Sequence, residues 1–210
     1  MLRRSTLAAA VMAVCSAAPA IAQQWDQPTF FSPRPHDDLG IYAIKPDLND
    51  WGVIGIWRQS GGINLGVRGG MGGGGGGADR TVLIGAELFG PLYVGAAPLA
   101  LYWVTGIGAS FNHFTIGRIP AGISAGIVLG EGGSAVFTPY VHPRLAFELE
   151  TAEIDGEDET DADLEFDVDL GVDVELGQRF ILRGGYRVGD AQDVFGVGIA
   201  IRLGRGAEVR

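Results

Sequence analysis

An uninterrupted alternation of side chains between residues 164 and 176 most constrains what this chain can fold into. In the run LEFDVDLGVDVEL, apolar residues occupy every even position, and carboxylates or glycine occupy every odd position. A period of two predicts a β-strand with one apolar face and one acidic face. At ~3.3 Å per residue the run is roughly 40 Å long, about twice a typical globular strand. Such a strand needs hydrocarbon on one side and water or counter-charge on the other.

The next alternating run, residues 180–188, carries that counter-charge. We predict a three-residue hairpin loop at 177–179, because this register matches the side chains on both faces and a one-residue slip would mismatch them all. The predicted cross-strand pairs are Leu176–Phe180, Asp173–Arg183 and Asp169–Arg187. Taken alone, the two strands also fit a salt-bridged ladder on a soluble sheet.

The same alternation recurs along the rest of the chain. It is found in residues 63–70, 81–89, 100–112, 121–129 and 193–203. One parity carries large apolar side chains, and the other carries glycine, alanine and serine with occasional charges such as Arg68 and Glu87. Glycine reaches 35 of 210 residues because it lies within strands as well as loops. A face made mostly of small side chains suits a narrow and crowded barrel interior better than the surface of a soluble sandwich.

The N-terminus predicts export. Arg3 and Arg4 precede an apolar run at 7–18, and Ala20-Ile21-Ala22 supplies a small-x-small cleavage site, so residues 1–22 are typical of a secretory signal peptide. A twin-arginine signal and a lipoprotein site at Cys15 fit less well. Cleavage would remove the one cysteine and, with the two arginines, take the net charge from −10 to −12. Disulfides and nucleic-acid binding are therefore not expected, and no later apolar run is long enough for a transmembrane helix.

We predict three regions after the signal peptide. Residues 23–38 form a polar, proline-containing, exposed leader, residues 39–204 form a β-barrel, and residues 205–210 form a tail. The barrel is all-β, antiparallel and up-and-down, with ten strands, or eight if the weak strand at 39–45 is absent. Ten strands would place long loops at 71–80, 112–119, 151–163 and 189–192 on one side and shorter turns on the other, as in outer-membrane barrels.

Three segments fit this pattern less simply. Pro139 and Pro143 would each remove a ladder hydrogen bond from the strand at 135–150, so a bulge or a strand beginning near Arg144 is expected. The glycine run at 72–77 lacks the Lys-Ser/Thr pair of a phosphate loop and predicts a flexible loop. The acidic stretch at 151–163 does not match an EF-hand and predicts a solvated loop, with diffuse divalent-ion binding left open.

The chain resembles the small outer-membrane β-barrels of the OmpA-like and OmpX-like class over about residues 39–203. The most specific part is the last strand, where Gly198 is followed by Ile201 and Leu203 as in the assembly signal of that class, although the chain continues from Gly204 to Arg210 instead of ending with an aromatic residue. The resemblance implies a Gram-negative outer-membrane location, contact with outer-membrane lipid and insertion by the barrel assembly machinery. It implies no single activity, because members of the class have many roles.

Catalytic, metal and cofactor chemistry is not expected. Ser110 and His113 would lie on opposite faces of an extended segment, and no nearby carboxylate would orient the imidazole. His142, next to Arg144, is predicted to join a polar network in the lumen, and no cluster of histidine or cysteine offers a transition-metal site. Aromatic residues near strand ends are expected to form interfacial girdles: Trp25, Trp51, Trp57, Trp103, Phe89, Tyr93 and Phe111.

The sequence therefore predicts a monomeric outer-membrane barrel without enzymatic activity and with a structural or surface-interaction role. Its lumen would be filled by a network of charged side chains: Asp169, Asp173, Arg183, Arg187, Arg144 and Glu148. A soluble barrel that binds a small apolar ligand is the alternative, and it requires the large apolar side chains to point inward. A lipid A-modifying barrel enzyme is a third hypothesis, which the missing triad disfavours.

Overall fold

Ten antiparallel strands close into a barrel in the computed structural model of this chain. The structure describes residues 25–46, 51–61, 64–72, 80–94, 98–112, 114–154, 157–189 and 193–204. The strands are β1 (Asp38–Pro46), β2 (Gly52–Gln59), β3 (Leu65–Gly72), β4 (Thr81–Val94), β5 (Leu99–Phe111), β6 (Phe114–Ile127), β7 (Ala135–Ile154), β8 (Glu157–Leu176), β9 (Phe180–Gly189) and β10 (Val194–Arg202). Each strand pairs with its neighbours in sequence, and β1 pairs with β10 to close the barrel. The predicted all-β, up-and-down barrel of ten strands is confirmed.

The described residues contain no helix that is long and apolar enough to cross a membrane.

The two ends of the barrel differ in height. We call the end where β1 begins and β10 ends the proximal end, and the opposite end the distal end. At the distal end, β7 and β8 are 20 residues long each, and they remain paired to Ile154 and Glu157. This hairpin projects beyond β9, whose pairing with β8 reaches only Asp167.

Two of the predicted distal loops are wrong. Residues 112–113 alone separate β5 from β6, so most of the loop predicted at 112–119 is strand. The acidic stretch at 151–163 is likewise mostly strand, because the two arms of the β7–β8 hairpin satisfy each other's backbone hydrogen bonds. Acidic composition indicated contact with water but did not determine whether the backbone was paired. The glycine run at 72–77 lies outside the described residues apart from Gly72.

Pro139 and Pro143 both lie within β7, which begins at Ala135. The ladder between β7 and β8 is continuous, whereas the ladder between β7 and β6 keeps one register but is interrupted at both prolines. Because the prolines are four residues apart, their nitrogens face the same neighbour, and a single ladder loses the missing donors. The bulge and the late start near Arg144 are therefore both wrong.

Side chains on the barrel wall follow the predicted alternation. Along β8 the apolar residues point outward and the acidic residues from Glu165 to Glu175 point inward. The predicted hairpin register is confirmed by the pairs Leu176↔Phe180, Asp173↔Arg183 and Asp169↔Arg187. Large apolar side chains are exposed on every strand, with Ile107 63% exposed and Ile41 59% exposed. The soluble barrel requires these residues to point inward, so that requirement is not met.

The predicted exposed leader is wrong. Residues 25–33 are buried within the barrel, and residues 34–37 lead down to the start of β1 at the proximal end. We call residues 25–37 the lumen segment. Its aromatic residues Trp25, Phe30 and Phe31 are at most 2% exposed. The interior fills in this way because the inward faces of the strands are rich in glycine and leave space that wall side chains do not occupy.

Candidate functional site

The wall of the barrel is shaped around the aromatic residues of the lumen segment. The indole of Trp25 occupies the space that a β-carbon would need at Gly85, Gly106 or Gly108, so these three glycines form a slot for it. Phe30 stacks on the wall residue Tyr42, with ring centroids 4.5 Å apart. These rings form one buried apolar cluster with inward-facing wall residues: Ile44, Ile54, Ile56 and Leu83.

A second aromatic contact lies next to this one. The rings of Phe31 and Phe89 are 4.9 Å apart, and Val104 packs in the same cluster. The guanidinium of Arg58 lies 5.3 Å from the centre of the Phe31 ring, and that of Arg68 lies 5.5 Å from the Trp25 ring. Both distances are within the range of cation–π attraction. The wall therefore holds the aromatic rings by packing and by the charge of two arginines.

The same two arginines hold the backbone of the lumen segment. Arg58 donates to the carbonyl oxygens of Thr29 and Phe30, each at 2.9 Å, and Arg68 donates to the carbonyl oxygen of Thr29 at 2.9 Å. Both arginines also pair with Glu87, which is 4% exposed. Because a guanidinium has several donors in one plane, each arginine can bind a carboxylate and a carbonyl at once.

A carboxylate of the lumen segment, Asp26, completes a larger cluster near the middle of β6 and β7. It accepts from Arg144, and its Oδ1 lies 3.2 Å from Nε of Arg118. Arg118 also pairs with three acidic wall residues: Glu148, Glu165 and Asp167. Buried charges are costly unless they are paired, and here each arginine has more than one acidic partner.

The structure divides the predicted charge network between two places. Asp173 accepts from Nε of Arg183 at 3.0 Å, and Arg183 also makes a bidentate pair with Asp38 and donates to the Tyr42 hydroxyl at 2.8 Å. This group joins β8, β9 and β1. It lies on the stretch of wall that faces Phe30, because Phe30 stacks on Tyr42.

The other four predicted residues belong to the group around Asp26. Arg144 lies 3.1 Å from Asp169, and Glu148 lies 2.7 Å from Arg118. Arg187 donates to Asp167, a carboxylate that it shares with Arg118. All six predicted residues therefore lie in ion pairs on the inward face of the barrel wall, and the structure brings together Asp173 with Arg183 and Asp169 with Arg144.

His142 joins this network through the lumen segment. It is 1% exposed, and its Nδ1 lies 3.1 Å from the hydroxyl of Thr29, which donates to Asp169 at 3.0 Å. Of the residues considered for catalysis, Ser110 is fully buried on the inward face, and His113 lies outside the described residues. Among the described residues, no group of three or more histidine, cysteine, aspartate or glutamate side chains could hold a metal ion.

The lumen segment leaves the barrel at the proximal end through a third polar cluster centred on Glu175. Arg34 lies 3.2 Å from this carboxylate and His36 lies 3.0 Å from it, and Arg202 of the last strand also pairs with it. One residue further on, Asp37 accepts from the backbone nitrogen and the hydroxyl of Ser60. These contacts fix the point where the segment turns into β1.

Several residues of this site were absent from the predicted network. Parity placed Arg68 and Glu87 on the inward face, but their partners in the lumen segment could not be seen in the sequence. Arg118 was assigned to a loop, and Arg58 was not among the residues of the predicted network. Two predicted girdle residues, Trp25 and Phe89, lie inside the barrel, so that part of the prediction is wrong. Other predicted girdle residues are exposed on the outside: Trp51, Tyr93, Trp103 and Phe111.

A closed antiparallel barrel with an apolar exterior and a polar lumen is the architecture of outer-membrane β-barrels. Among solved structures, the chain is similar to the N-terminal β-barrel domain of OprF from Pseudomonas aeruginosa, with a TM-score of 0.41, 11% identity and coverage of 81% of this chain and 100% of that one. It is also similar to Neisserial surface protein A, with a TM-score of 0.37, 14% identity and coverage of 79% and 94%. A third similar structure is the KdgM porin, with a TM-score of 0.45, 5% identity and coverage of 80% and 99%.

No protein-family model matches the chain, and no curated protein matches it. For these three structures the identities lie below 25% and the TM-scores below 0.5. The functional argument therefore depends on the exterior and the lumen of this barrel itself.

Proposed function

We propose that this chain is a monomeric outer-membrane β-barrel protein of structural or surface-interaction type, without enzymatic activity. Its partners would be outer-membrane lipid and, during insertion, the barrel assembly machinery. The lumen is filled by the lumen segment and by the ion pairs that surround it.

The direction in which the side chains face carries this proposal. The exterior presents leucine, isoleucine, valine and phenylalanine on all ten strands, whereas arginine, aspartate and glutamate side chains are buried inside. A soluble protein rarely exposes an apolar patch larger than a few hundred Å², and this surface encircles the barrel. Hydrocarbon around the barrel would remove the free-energy cost of exposing this apolar surface to water. Closure of the sheet leaves no unpaired strand edge in lipid.

The β7–β8 hairpin supports the surface-interaction part of the proposal. Its outer residues Glu159, Asp161 and Asp163 are exposed, and they lie beyond the end of the β8–β9 ladder. A projecting acidic hairpin at the distal end supports a role in contacting molecules outside the barrel. Positively charged partners would be favoured by its charge.

The gel mobility of the outer-membrane fraction, compared before and after boiling, tests the membrane assignment. We expect the unboiled protein to migrate differently from the boiled protein, because a folded membrane barrel resists SDS until it is heated. A protein that is found in the soluble fraction and shows no shift would overturn the proposal.

A further inference from the structure

We propose that the lumen segment is a removable stopper, and that its displacement opens a pore for small inorganic ions. This inference rests on the proposed membrane location. It goes beyond a permanently filled barrel, because it assigns closure of the lumen to one segment of the chain and not to the wall.

The wall alone leaves a space in the shape of the lumen segment. Gly85, Gly106 and Gly108 surround the Trp25 indole, and the Phe30 ring lies against Gly185 and Gly196. Glycine has no side chain that could move into the space once the aromatic rings leave. Departure of the segment would therefore leave an opening along the barrel axis that is at least as wide as an extended chain carrying aromatic side chains.

The charged side chains of the wall would keep partners if the lumen segment left. The wall arginines that bind the segment each keep a wall carboxylate, since Arg58 and Arg68 pair with Glu87, and Arg144 pairs with Asp169. A buried charge that loses its only partner strongly destabilises a protein, but no arginine that binds the segment would be left in that state. The wall can therefore stay folded when the segment moves.

The lumen segment is held by the packing of its aromatic rings and by the ion pairs of Asp26, whereas its uncharged polar side chains are only partly satisfied. Within the part of the chain that the structure describes, six of its side-chain atoms are buried without a hydrogen-bond partner, and four of them belong to uncharged residues: Trp25 Nε1, Gln27 Nε2, Gln27 Oε1 and Ser32 Oγ. Outside the lumen, water would hydrogen-bond to these atoms. Their burial therefore costs free energy, which offsets part of the stabilisation from packing of the aromatic rings. The aromatic rings are thus a major part of the contacts that keep the lumen closed, together with the ion pairs of Asp26.

The connection to the barrel permits withdrawal. The segment joins the wall covalently only through Asp37, at the proximal end, and with the predicted cleavage after Ala22 its other end would be free. It could leave through the proximal end without unpairing any strand. The exposed lumen would carry both arginines and carboxylates, so we expect K⁺ and Cl⁻ to permeate.

Currents through planar bilayers in KCl test the proposal on the full chain. The stopper variant is Trp25→Ala, Phe30→Ala and Phe31→Ala combined. The matched control is Trp103→Ala, Phe137→Ala and Phe195→Ala, which removes the same bulk from outward positions that are 39–46% exposed. We expect the wild type and the control to stay closed, and the stopper variant to be open at least about tenfold more often. The removal of three buried rings should weaken the closed state by more than the free energy that corresponds to a tenfold change in an equilibrium constant.

Steady conductance of the wild type would overturn the stopper, as would a stopper variant that keeps the heat-dependent gel shift but conducts no more than the control. A barrel that lacks the gel shift and stays soluble would instead overturn the membrane assignment. The two failures are therefore distinguishable.

Thiol labelling gives a second readout that does not depend on current. Ser32 is 4% exposed, whereas Glu131 in the β6–β7 turn is exposed, and the one native cysteine lies in the predicted signal peptide. With a charged, membrane-impermeant reagent, Ser32→Cys should react much more slowly than Glu131→Cys in the wild-type background. Adding the stopper substitutions should bring the two rates together. Equal rates in the wild-type background, or a rate at position 32 that the stopper substitutions leave unchanged, would contradict the proposal.

Discussion

At the scale of single residues, the interior depends on arginines that each serve several partners. Arg183 is 3% exposed and binds Asp173, Asp38 and the Tyr42 hydroxyl. It thereby ties β9 to β8 and to β1, across the seam where the barrel closes. At a buried position, removing such an arginine is costly mainly because the carboxylates that it binds would lose their counter-charge.

Replacing Arg183 by Met should lower the free energy of unfolding by about 3–5 kcal/mol, because two buried carboxylates lose a charged partner. Denaturant unfolding of the protein in lipid vesicles measures the change. Arg179→Met, in the exposed β8–β9 turn, is the matched control and should cost under about 1 kcal/mol. Similar losses for both variants would show that the Arg183 pairs contribute little.

At the scale of strands, each element has to satisfy two environments at once. The last strand shows this most simply, because Phe195, Val197 and Ile199 face outward, as predicted, while Gly196 and Ala200 face inward. Gly198 also leaves room for the ring of Tyr42, which a β-carbon there would meet. The inward glycines are therefore required by packing inside the lumen as well as by the strand pattern.

The position of a charge along an outward face should determine its cost. Ile199→Lys, near the middle of β10, should destabilise the barrel by ~2–4 kcal/mol, and Leu203→Lys, just beyond its end, by ~0–1 kcal/mol, because the hydrocarbon is deepest at the middle. Both native residues are 41% exposed, so differences in exposure do not confound the comparison. Unfolding in vesicles measures both, and equal costs would contradict a membrane around this barrel.

At the scale of the whole molecule, the chain is a barrel that contains its own N-terminal segment. Three of the four tryptophans lie on the wall, and the fourth, Trp25, lies in the lumen at 2% exposure. The wall therefore separates Trp25 from the surface that lipid would cover. Trp103, by contrast, is 39% exposed on the outside.

Fluorescence quenching by lipids with brominated acyl chains should distinguish these two positions. Two single-tryptophan proteins are compared, one keeping Trp25 and one keeping Trp103, with the other tryptophans replaced by phenylalanine. We expect strong quenching of Trp103 and weak quenching of Trp25, because only the former can touch the acyl chains. Equal quenching would place Trp25 outside the lumen and contradict the packing described for it.

Much of the wall could be predicted because its pattern is local. A period of two fixes which side chains share a face, and the charges of β8 and β9 fixed their register to Asp173↔Arg183. The loop at 151–163 was mispredicted because acidic segments have low strand propensity, and only pairing with a neighbour makes this one a strand. The loop at 112–119 was mispredicted although Phe114, Thr115 and Ile116 have high strand propensity. The lumen segment was mispredicted as exposed because its prolines and polar residues resemble those of an exposed linker.

The sequence by itself determined the class of fold, the inward and outward faces, and the charges available to the lumen, because alternation, hairpin register and residue type act over a few positions. Only the tertiary structure decided that residues 25–37 lie inside the barrel and that Asp26 meets Arg118 and Arg144. Those contacts join residues about 90 to 120 positions apart. They exist because closure of ten strands, several of which carry glycine on their inward face, creates a space whose shape no single strand determines. The aromatic residues of the lumen segment fill that space and are thereby removed from water.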